Sequence, residues 1–268
     1  MRPIKVILLA VLSGIVASAI AYVALIRPKI KSWGFDEVEA EKQFPGDELV
    51  ADPTAVETRG ITIDDTPDKV WPWLVQMGYG RGGWYSYEPL DSKLPSAKEI
   101  LPEFQELKPG DKMPTYPGFS FEVKVVEPQR ALVLFSDAAG AKDQIAAARD
   151  TVSDMVSEGA KPLVDMEAVA EMENVPDFAA SWGFYLEPQG ADKTRLIERF
   201  RIQAPSNAPA PVLKEVFGTG VVLMARKQLI GIKERVERNR YGMGPASEAQ
   251  NETSLSESSV GDVATANM

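Results

Sequence analysis

The N-terminal end of the chain carries an uninterrupted apolar stretch. Val6 to Ile26 spans 21 residues without a charged side chain. About 20 apolar residues in a helix cross a bilayer, so we expect residues 1–31 to form a single-pass anchor in the cell membrane. Cleavage as a signal peptide, followed by secretion, is the alternative, because Ala17-Ser18-Ala19 has the spacing of small residues found at cleavage sites. A buried helix is a third interpretation. Basic residues flank both ends of the stretch: Arg2, Lys5, Arg27, Lys29 and Lys31.

Beyond this stretch, apolar and polar residues alternate with a period of two in several segments, which predicts β-strands. In 119–127, the side chains of Phe119, Phe121, Val123 and Val125 should share one face. The complete set of predicted strands is 58–64, 112–116, 119–127, 130–136, 181–187 and 194–203.

Helical spacing predicts three further elements. Thr66 is a suitable N-cap before Pro67, and Gly78 should end the helix that follows. A second short helix is predicted at 96–104. The third and longest, at 209–238, repeats apolar residues every three or four positions and has a basic C-terminal end.

An acidic, alanine-rich insert at 138–175 interrupts the strands. Its apolar spacing predicts two amphipathic helices, broken at Gly159 and Pro162. They could form a lid over a pocket or only elaborate the surface.

The remaining segments set the domain limits. Residues 32–55 mix acidic and apolar residues without a period and contain turn-forming proline and glycine, so we predict a connector. The folded domain should cover 56–240. Residues 241–268 are rich in Ser, Asn, Ala and Glu, and we predict a disordered tail.

The amino-acid composition limits the reactions that the chain could catalyse. The chain of 268 residues is 44% hydrophobic, enough for a core, and contains no Cys and no His. Thiol chemistry and His-based triads are excluded, and the usual zinc and haem ligands are missing. We therefore expect no metal and no cofactor, with any proton transfer left to Asp, Glu, Lys, Tyr or water. A net charge of −10 without a basic face argues against nucleic-acid binding.

An aromatic turn follows the first predicted soluble helix. Residues 70–91 hold three of the five Trp and three of the seven Tyr residues. Alternation would turn either Trp84 with Ser86, or Tyr85 with Tyr87, towards a pocket. Arg81, set among glycines, could bind a carboxylate or phosphate head group, or could belong to a simple helix-exit turn.

One acid falls at an apolar strand position. Glu198 shares its parity with Leu196 and Phe200, which predicts a buried carboxyl with a raised pKa and a possible role as acid or base. The alternatives are a bulge that turns Glu198 outwards, or an ion pair with one of three arginines. Those arginines are Arg81, Arg195 and Arg199.

Eight motifs carry a resemblance to a known superfamily. They are GDELV (46–50), TIDDTPDKVWPWLVQMG (62–78), GRGGWYSYEPLD (80–91), LKPGD (107–111), EVKVVEPQRALVL (122–134), SWGFYLEP (181–188), TRLIERFR (194–201) and RKQLIGIKERVE (226–237). Together they resemble the START/SRPBCC superfamily, in particular membrane-anchored bacterial proteins of polyketide cyclase/dehydratase or lipid-transport type. The resemblance covers most of 46–240.

This resemblance implies an α+β helix-grip fold, in which a curved antiparallel sheet wraps a long C-terminal helix and leaves a cavity. The 138–175 insert is longer than the corresponding connection in the superfamily. We expect the ligand to be bound by Arg81, Trp84, Tyr85, Tyr87, Phe121, Trp182, Phe184, Phe200, Val221 and Met224.

Three functions remain open, in this order. A membrane-tethered module for a lipid or other hydrophobic small molecule requires an apolar cavity. A cyclase/dehydratase-type enzyme, using Glu198, Arg81 and a Tyr, would place a buried Glu198 opposite a Tyr. A non-catalytic interaction protein would have a filled cavity.

Overall fold

A computed structural model describes residues 33–87, 95–159, 175–204 and 211–240, together with Leu25 and Glu167. The side chains of residues 116, 211–221 and 239 are not described. The predicted N-terminal anchor, the second half of the insert and the tail at 241–268 therefore lie outside the described residues.

The described chain is built around one six-stranded, fully antiparallel curved sheet of order β1-β6-β5-β4-β3-β2. The strands are β1 (Ala55–Ile63), β2 (Lys112–Tyr116), β3 (Phe119–Glu127), β4 (Ala131–Asp137), β5 (Ala179–Gln189) and β6 (Lys193–Gln203). Each of the six predicted strands is present.

Within the described residues, four helices and two single 3₁₀ turns accompany the sheet. The helices are α1 (Glu37–Glu41), α2 (Pro67–Val75), α3 (Ala138–Ser157) and α4 (Pro211–Arg240), and the 3₁₀ turns are Asp47–Val50 and Pro102–Phe104. Thr66 is the N-cap of α2 with Pro67 at its first position, as predicted.

The concave face of the sheet and α4 enclose the main core. Buried side chains of α4, such as Leu229 and Ile232, pack in one cluster with Leu134, Phe184 and Leu196 of the sheet. The apolar stripe of α4 therefore buries the apolar side chains on the inward face of the strands. This arrangement confirms the helix-grip fold.

The convex face of the sheet is covered by residues 34–50, which belong to the segment 32–55 predicted to be a connector. Phe44 stacks on Tyr185 with ring centroids 4.3 Å apart. The Tyr185 hydroxyl donates to the carbonyl of Pro45 at 2.8 Å. Arg199 donates hydrogen bonds from all three guanidinium nitrogens into this segment and to Thr58 of β1. The sheet thus has a packed layer on each face.

The first half of the insert is one helix of 20 residues, α3, which the sequence predicted. It begins at the N-cap Asp137, whose side chain accepts from the backbone N–H of Gly140. Ala141, Ile145 and Ala148 are buried on its inner face. The side chain of Gln144 bonds to the backbone of Ser120 in both directions.

Two details of the sequence prediction are wrong. Residues 96–104 contain only the 3₁₀ turn at Pro102–Phe104, because this segment bonds instead to the side chain of Gln76, which accepts from Leu101 N–H and donates to the carbonyl of Glu99. In β3, a register shift between Val123 and Val125 places Val125 against the convex cluster. The strict alternation predicted for this strand ends at that bulge.

No helix within the described ranges has both the length and the apolar character needed to cross a membrane.

Candidate functional site

A cavity of about 330 Å³ lies between the concave face of the sheet, α4 and the loop that follows α2. Its size is at the lower end of the roughly 300–1,000 Å³ found for small-molecule sites. The described residues that line it are Glu57, Arg59, Trp84, Ser86, Thr115, Phe121, Trp182, Glu198, Phe200, Met224, Ala225 and Gln228.

Aromatic rings form one wall of the cavity. Trp84 and Trp182 stack with centroids 5.1 Å apart and planes 19° apart. Phe121 meets Trp182 edge-on at 6.0 Å. Such rings offer flat apolar surface with little side-chain entropy to lose, which suits a ligand with a planar or chain-like apolar body.

Glu198 forms a polar point in this apolar wall. It is only 4% exposed, and its Oε1 accepts a hydrogen bond from Trp182 Nε1 at 2.7 Å. Its Oε2 is buried without a partner. Burial raises the pKa of Glu198 from 4.5 to about 7, against the opposing influences of Trp182 and Arg59. The carboxyl can therefore change protonation near neutral pH.

Arg59 faces the same cavity from β1. It is directly opposite Glu198 in the pairing of β1 with β6, so both side chains project to one face. Its Nη2 donates to Glu57 Oε2 at 2.8 Å, while its Nε is buried without a partner. Glu57 thus balances the charge of Arg59.

The two alternative orientations of the aromatic turn are resolved by its backbone. Trp84 and Ser86 line the cavity, whereas Tyr85 is buried in the main core against Trp73 and the exposed Tyr87 borders a separate cleft beside the C-terminal half of α4. Tyr85 has a φ of 58°, and its hydroxyl donates to the carbonyl of Trp73 at 3.0 Å. The carbonyl of Tyr85 lies so close to Gly231 of α4 that no side chain fits there.

Arg81 lies outside the cavity lining. Its guanidinium donates to the carbonyls of Val75, Met77 and Phe104 and packs over the Phe104 ring, 4.6 Å from its centroid. These are the contacts of a helix-exit turn, because the free carbonyls at the end of α2 need donors.

The other expected ligand-binding residues divide into three groups. Phe121, Trp182, Phe200 and Met224 line the cavity. Phe184 is fully buried behind the lining, in contact with Trp182. The side chain of Val221 is outside the described residues.

Sequence reasoning missed the charged residues of β1. Glu57 and Arg59, four and two residues before Ile61, have the same parity as Ile61 and Ile63, which pack in the main core. Extending the alternation to the start of the strand would have found them. Glu198 does face inward, and its three suggested arginine partners bond elsewhere: Arg195 to Glu39, Arg199 to Asp47, and Arg81 to carbonyls.

No protein-family model and no curated protein sequence matches the chain. Solved structures with a similar fold include a hypothetical protein from Helicobacter pylori, 13% identical, with a TM-score of 0.40, covering 71% of this chain and 92% of that one. A START superfamily protein from Mycobacterium smegmatis is 9% identical, with a TM-score of 0.34 and coverages of 68% and 97%.

A protein in the dynemicin biosynthetic locus is 13% identical, with a TM-score of 0.33, covering 66% of this chain and 46% of that one. These likenesses assign no function to the chain, since fold similarity at this level is shared by many activities. The fold assignment follows from the strand order, the position of α4 and the cavity between them. The chain has a helix-grip fold.

Proposed function

We propose that this domain binds one mainly apolar small molecule or lipid in the cavity between the sheet and α4. The observation that carries the proposal is an open cavity of about 330 Å³ inside an otherwise packed core. Well-packed cores contain few voids larger than a water molecule. A cavity of this size with an aromatic wall is therefore best explained by an occupant.

The three functions predict different cavities, and the geometry favours the first of them. An interaction protein without a ligand should have a filled interior. Here an open cavity lies between the turn after α2, strand β5 and helix α4, and it is lined by Trp84, Trp182 and Met224. An enzyme of the predicted type should oppose Glu198 with a Tyr. Among the described lining residues, Glu198 meets Trp182 instead.

A second function retains one specific observation in its favour. Glu198 lines the cavity, its Oε2 has no hydrogen-bond partner, and its pKa of about 7 suits proton transfer at neutral pH. Acid–base catalysis on the bound molecule by Glu198 is the alternative. It requires ligand turnover that disappears in Glu198→Gln while ligand binding persists.

Binding can be tested with N-phenylnaphthylamine, a neutral dye whose fluorescence rises in apolar surroundings. We expect the full chain to bind this dye at one site. Ala225→Phe should abolish binding, because Ala225 lines the cavity from α4 and a phenyl ring would occupy the space. Ala146→Phe adds the same ring to the exposed face of α3 and should leave binding unchanged.

Equal dye binding by both variants and the parent chain would refute the cavity as the binding site. The folded state of each variant is checked by near-UV circular dichroism, which reports aromatic packing.

We also propose that residues 6–26 tether the domain to a membrane. Support comes from the length of the uncharged stretch and its basic flanks. The chain should stay in the membrane pellet after an alkaline carbonate wash. Recovery of a soluble chain that has lost its first 19 residues would instead support the signal peptide.

A further inference from the structure

Arg59 and Glu198 both line the cavity, and each carries one buried polar atom without a hydrogen-bond partner. The Nε of Arg59 and the Oε2 of Glu198 are both buried and both lack a hydrogen-bond partner. The residues are 5% and 4% exposed. Buried polar atoms are normally paired, because water is no longer available to them. The two atoms therefore mark a place where a bound molecule can supply the missing partners.

The two side chains are close but do not pair with each other. They are directly opposed across β1 and β6, where facing Cβ atoms lie roughly 4.5–5.5 Å apart. Within the described part of the chain, the ion pair of Arg59 is with Glu57, and the hydrogen bond of Glu198 is with Trp182. One ligand atom placed between the two side chains would be within reach of both.

Charge balance restricts the chemistry of that atom. Glu57 already offsets Arg59, and the remaining described lining residues apart from Glu198 are neutral. A ligand carboxylate would add a negative charge beside Glu57 and Glu198. A ligand ammonium has no lone pair to accept from the Arg59 Nε–H.

A hydroxyl group meets both requirements with one oxygen atom. Its oxygen accepts from the Arg59 Nε–H, and its own O–H donates to the Glu198 Oε2. The apolar remainder of the molecule would then lie along Trp84, Phe121 and Trp182.

We propose that the ligand is a neutral, mainly apolar alcohol whose hydroxyl bridges the Nε of Arg59 and the Oε2 of Glu198. This inference rests on the proposed binding function and adds the chemical class of the ligand and the residues that select it.

The first test compares four molecules with one aromatic body: naphthalene, 2-naphthol, 2-naphthaldehyde and 2-naphthoate. Each is titrated calorimetrically into the full chain. We expect 2-naphthol to bind about tenfold tighter than naphthalene, because it satisfies two buried groups. The 2-naphthoate should bind most weakly. Equal affinity for naphthol and naphthalene, or tightest binding of the naphthoate, would overturn the proposal.

The second test uses the protonation of Glu198. An aldehyde oxygen only accepts, so it can pair with the carboxylic acid but not with the carboxylate. Between pH 6 and pH 8 we expect 2-naphthaldehyde to lose about tenfold in affinity, since the protonated fraction of a carboxyl with a pKa of about 7 falls by that factor. The alcohol should keep its affinity, because it can donate to the carboxylate. The opposite ranking would contradict the bridge.

Two variants test which side chains cause the preference for 2-naphthol and the pH dependence of 2-naphthaldehyde binding. Arg59→Met should remove the advantage of 2-naphthol over naphthalene without weakening naphthalene itself. Glu198→Gln should remove the pH dependence of 2-naphthaldehyde, because an amide does not titrate. Glu234→Gln, on the exposed face of α4, is the matched control for the second variant.

If either variant fails to fold, the titrations of the four compounds into the wild-type chain still test the inference. The series also separates the two proposals. Binding of naphthalene without any preference for naphthol leaves the binding function intact and removes the alcohol. Absence of binding by every member, naphthalene included, removes both.

Discussion

Glu198 shows how one residue can couple the cavity to solution conditions. Two of its neighbours on the same face of the sheet, Phe184 and Phe200, are apolar, and its carboxyl is almost completely buried. An acid at this position resists ionisation because the charged form cannot be solvated. Burying this carboxyl costs stability at a position where an apolar side chain would fit. Such a cost is typical of a functional position.

This burial predicts a pH dependence of stability. The pKa of Glu198 is raised from 4.5 to about 7 in the folded chain, so the folded state holds more protons than the unfolded state between these values. The free energy of unfolding should therefore fall as pH rises through this interval. The slope is about 1.4 kcal/mol per pH unit, which accumulates to about 3 kcal/mol.

Urea denaturation between pH 4 and pH 8 measures the effect as the difference between the parent chain and Glu198→Gln. The difference should shift in favour of the variant as pH rises and level off above pH 7. Glu234→Gln should track the parent chain at every pH. A parent-minus-variant difference that does not change with pH would mean that Glu198 is not buried as described.

At the scale of elements, residues 34–50 belong to the folded layer over the convex face. Arg199 organises this contact. Its five guanidinium N–H groups are directed at Thr58 Oγ1, Asp47 Oδ2 and three backbone carbonyls, at 2.6 to 3.0 Å. Those carbonyls belong to Glu39, Ala40 and Lys42. A neutral side chain cannot replace so many donors.

Arg199→Ala should lower the free energy of unfolding by about 3–5 kcal/mol, because three carbonyls lose their donors and Asp47 keeps only the Phe44 N–H and Arg201, 3.6 Å away. Hydrogen exchange should also accelerate selectively in 38–50. Arg130→Ala is the control: Arg130 is 73% exposed beside Glu127, and its loss should cost less than about 1 kcal/mol. Equal costs for the two variants would contradict the docking described for this segment.

The contact of α4 with the aromatic turn gives a second prediction at this scale. A Cβ atom at Gly231 would overlap the carbonyl oxygen of Tyr85. Helix propensity alone favours Ala over Gly by about 1 kcal/mol. We expect sterics to prevail, so that Gly231→Ala destabilises the chain by roughly 1–3 kcal/mol.

Thermal denaturation of Gly231→Ala, compared with Glu234→Ala on the exposed side of the same helix, tests this balance. A stabilised Gly231→Ala variant would show that α4 and the turn are farther apart than described.

The sequence predicted the strands well because each has one face in the core, so that alternation marks both its existence and its register. It failed where side chains replace regular backbone pairing. The bonds of Gln76 to the 99–101 backbone have no local signal, and neither has the bulge after Val123. The left-handed backbone of Tyr85 likewise depends on the close approach of α4.

At the scale of the whole molecule, the cavity arises from elements distant in sequence. Its charged point joins β1 to β6, and its aromatic wall joins the turn after α2 to β3 and β5. Sequence parity identified Glu198 and most of the apolar lining, but Arg81 and Tyr85 were included because turn residues carry no parity. The position of a turn side chain is set by tertiary contacts alone.

Native mass spectrometry of the full chain, released from detergent micelles, tests the central claim most directly. The account predicts a stoichiometric adduct of a small apolar molecule, distinct in mass from the detergent, on the parent chain and on Ala146→Phe but not on Ala225→Phe. A bare parent chain that also fails to take up added naphthalene or N-phenylnaphthylamine would contradict it.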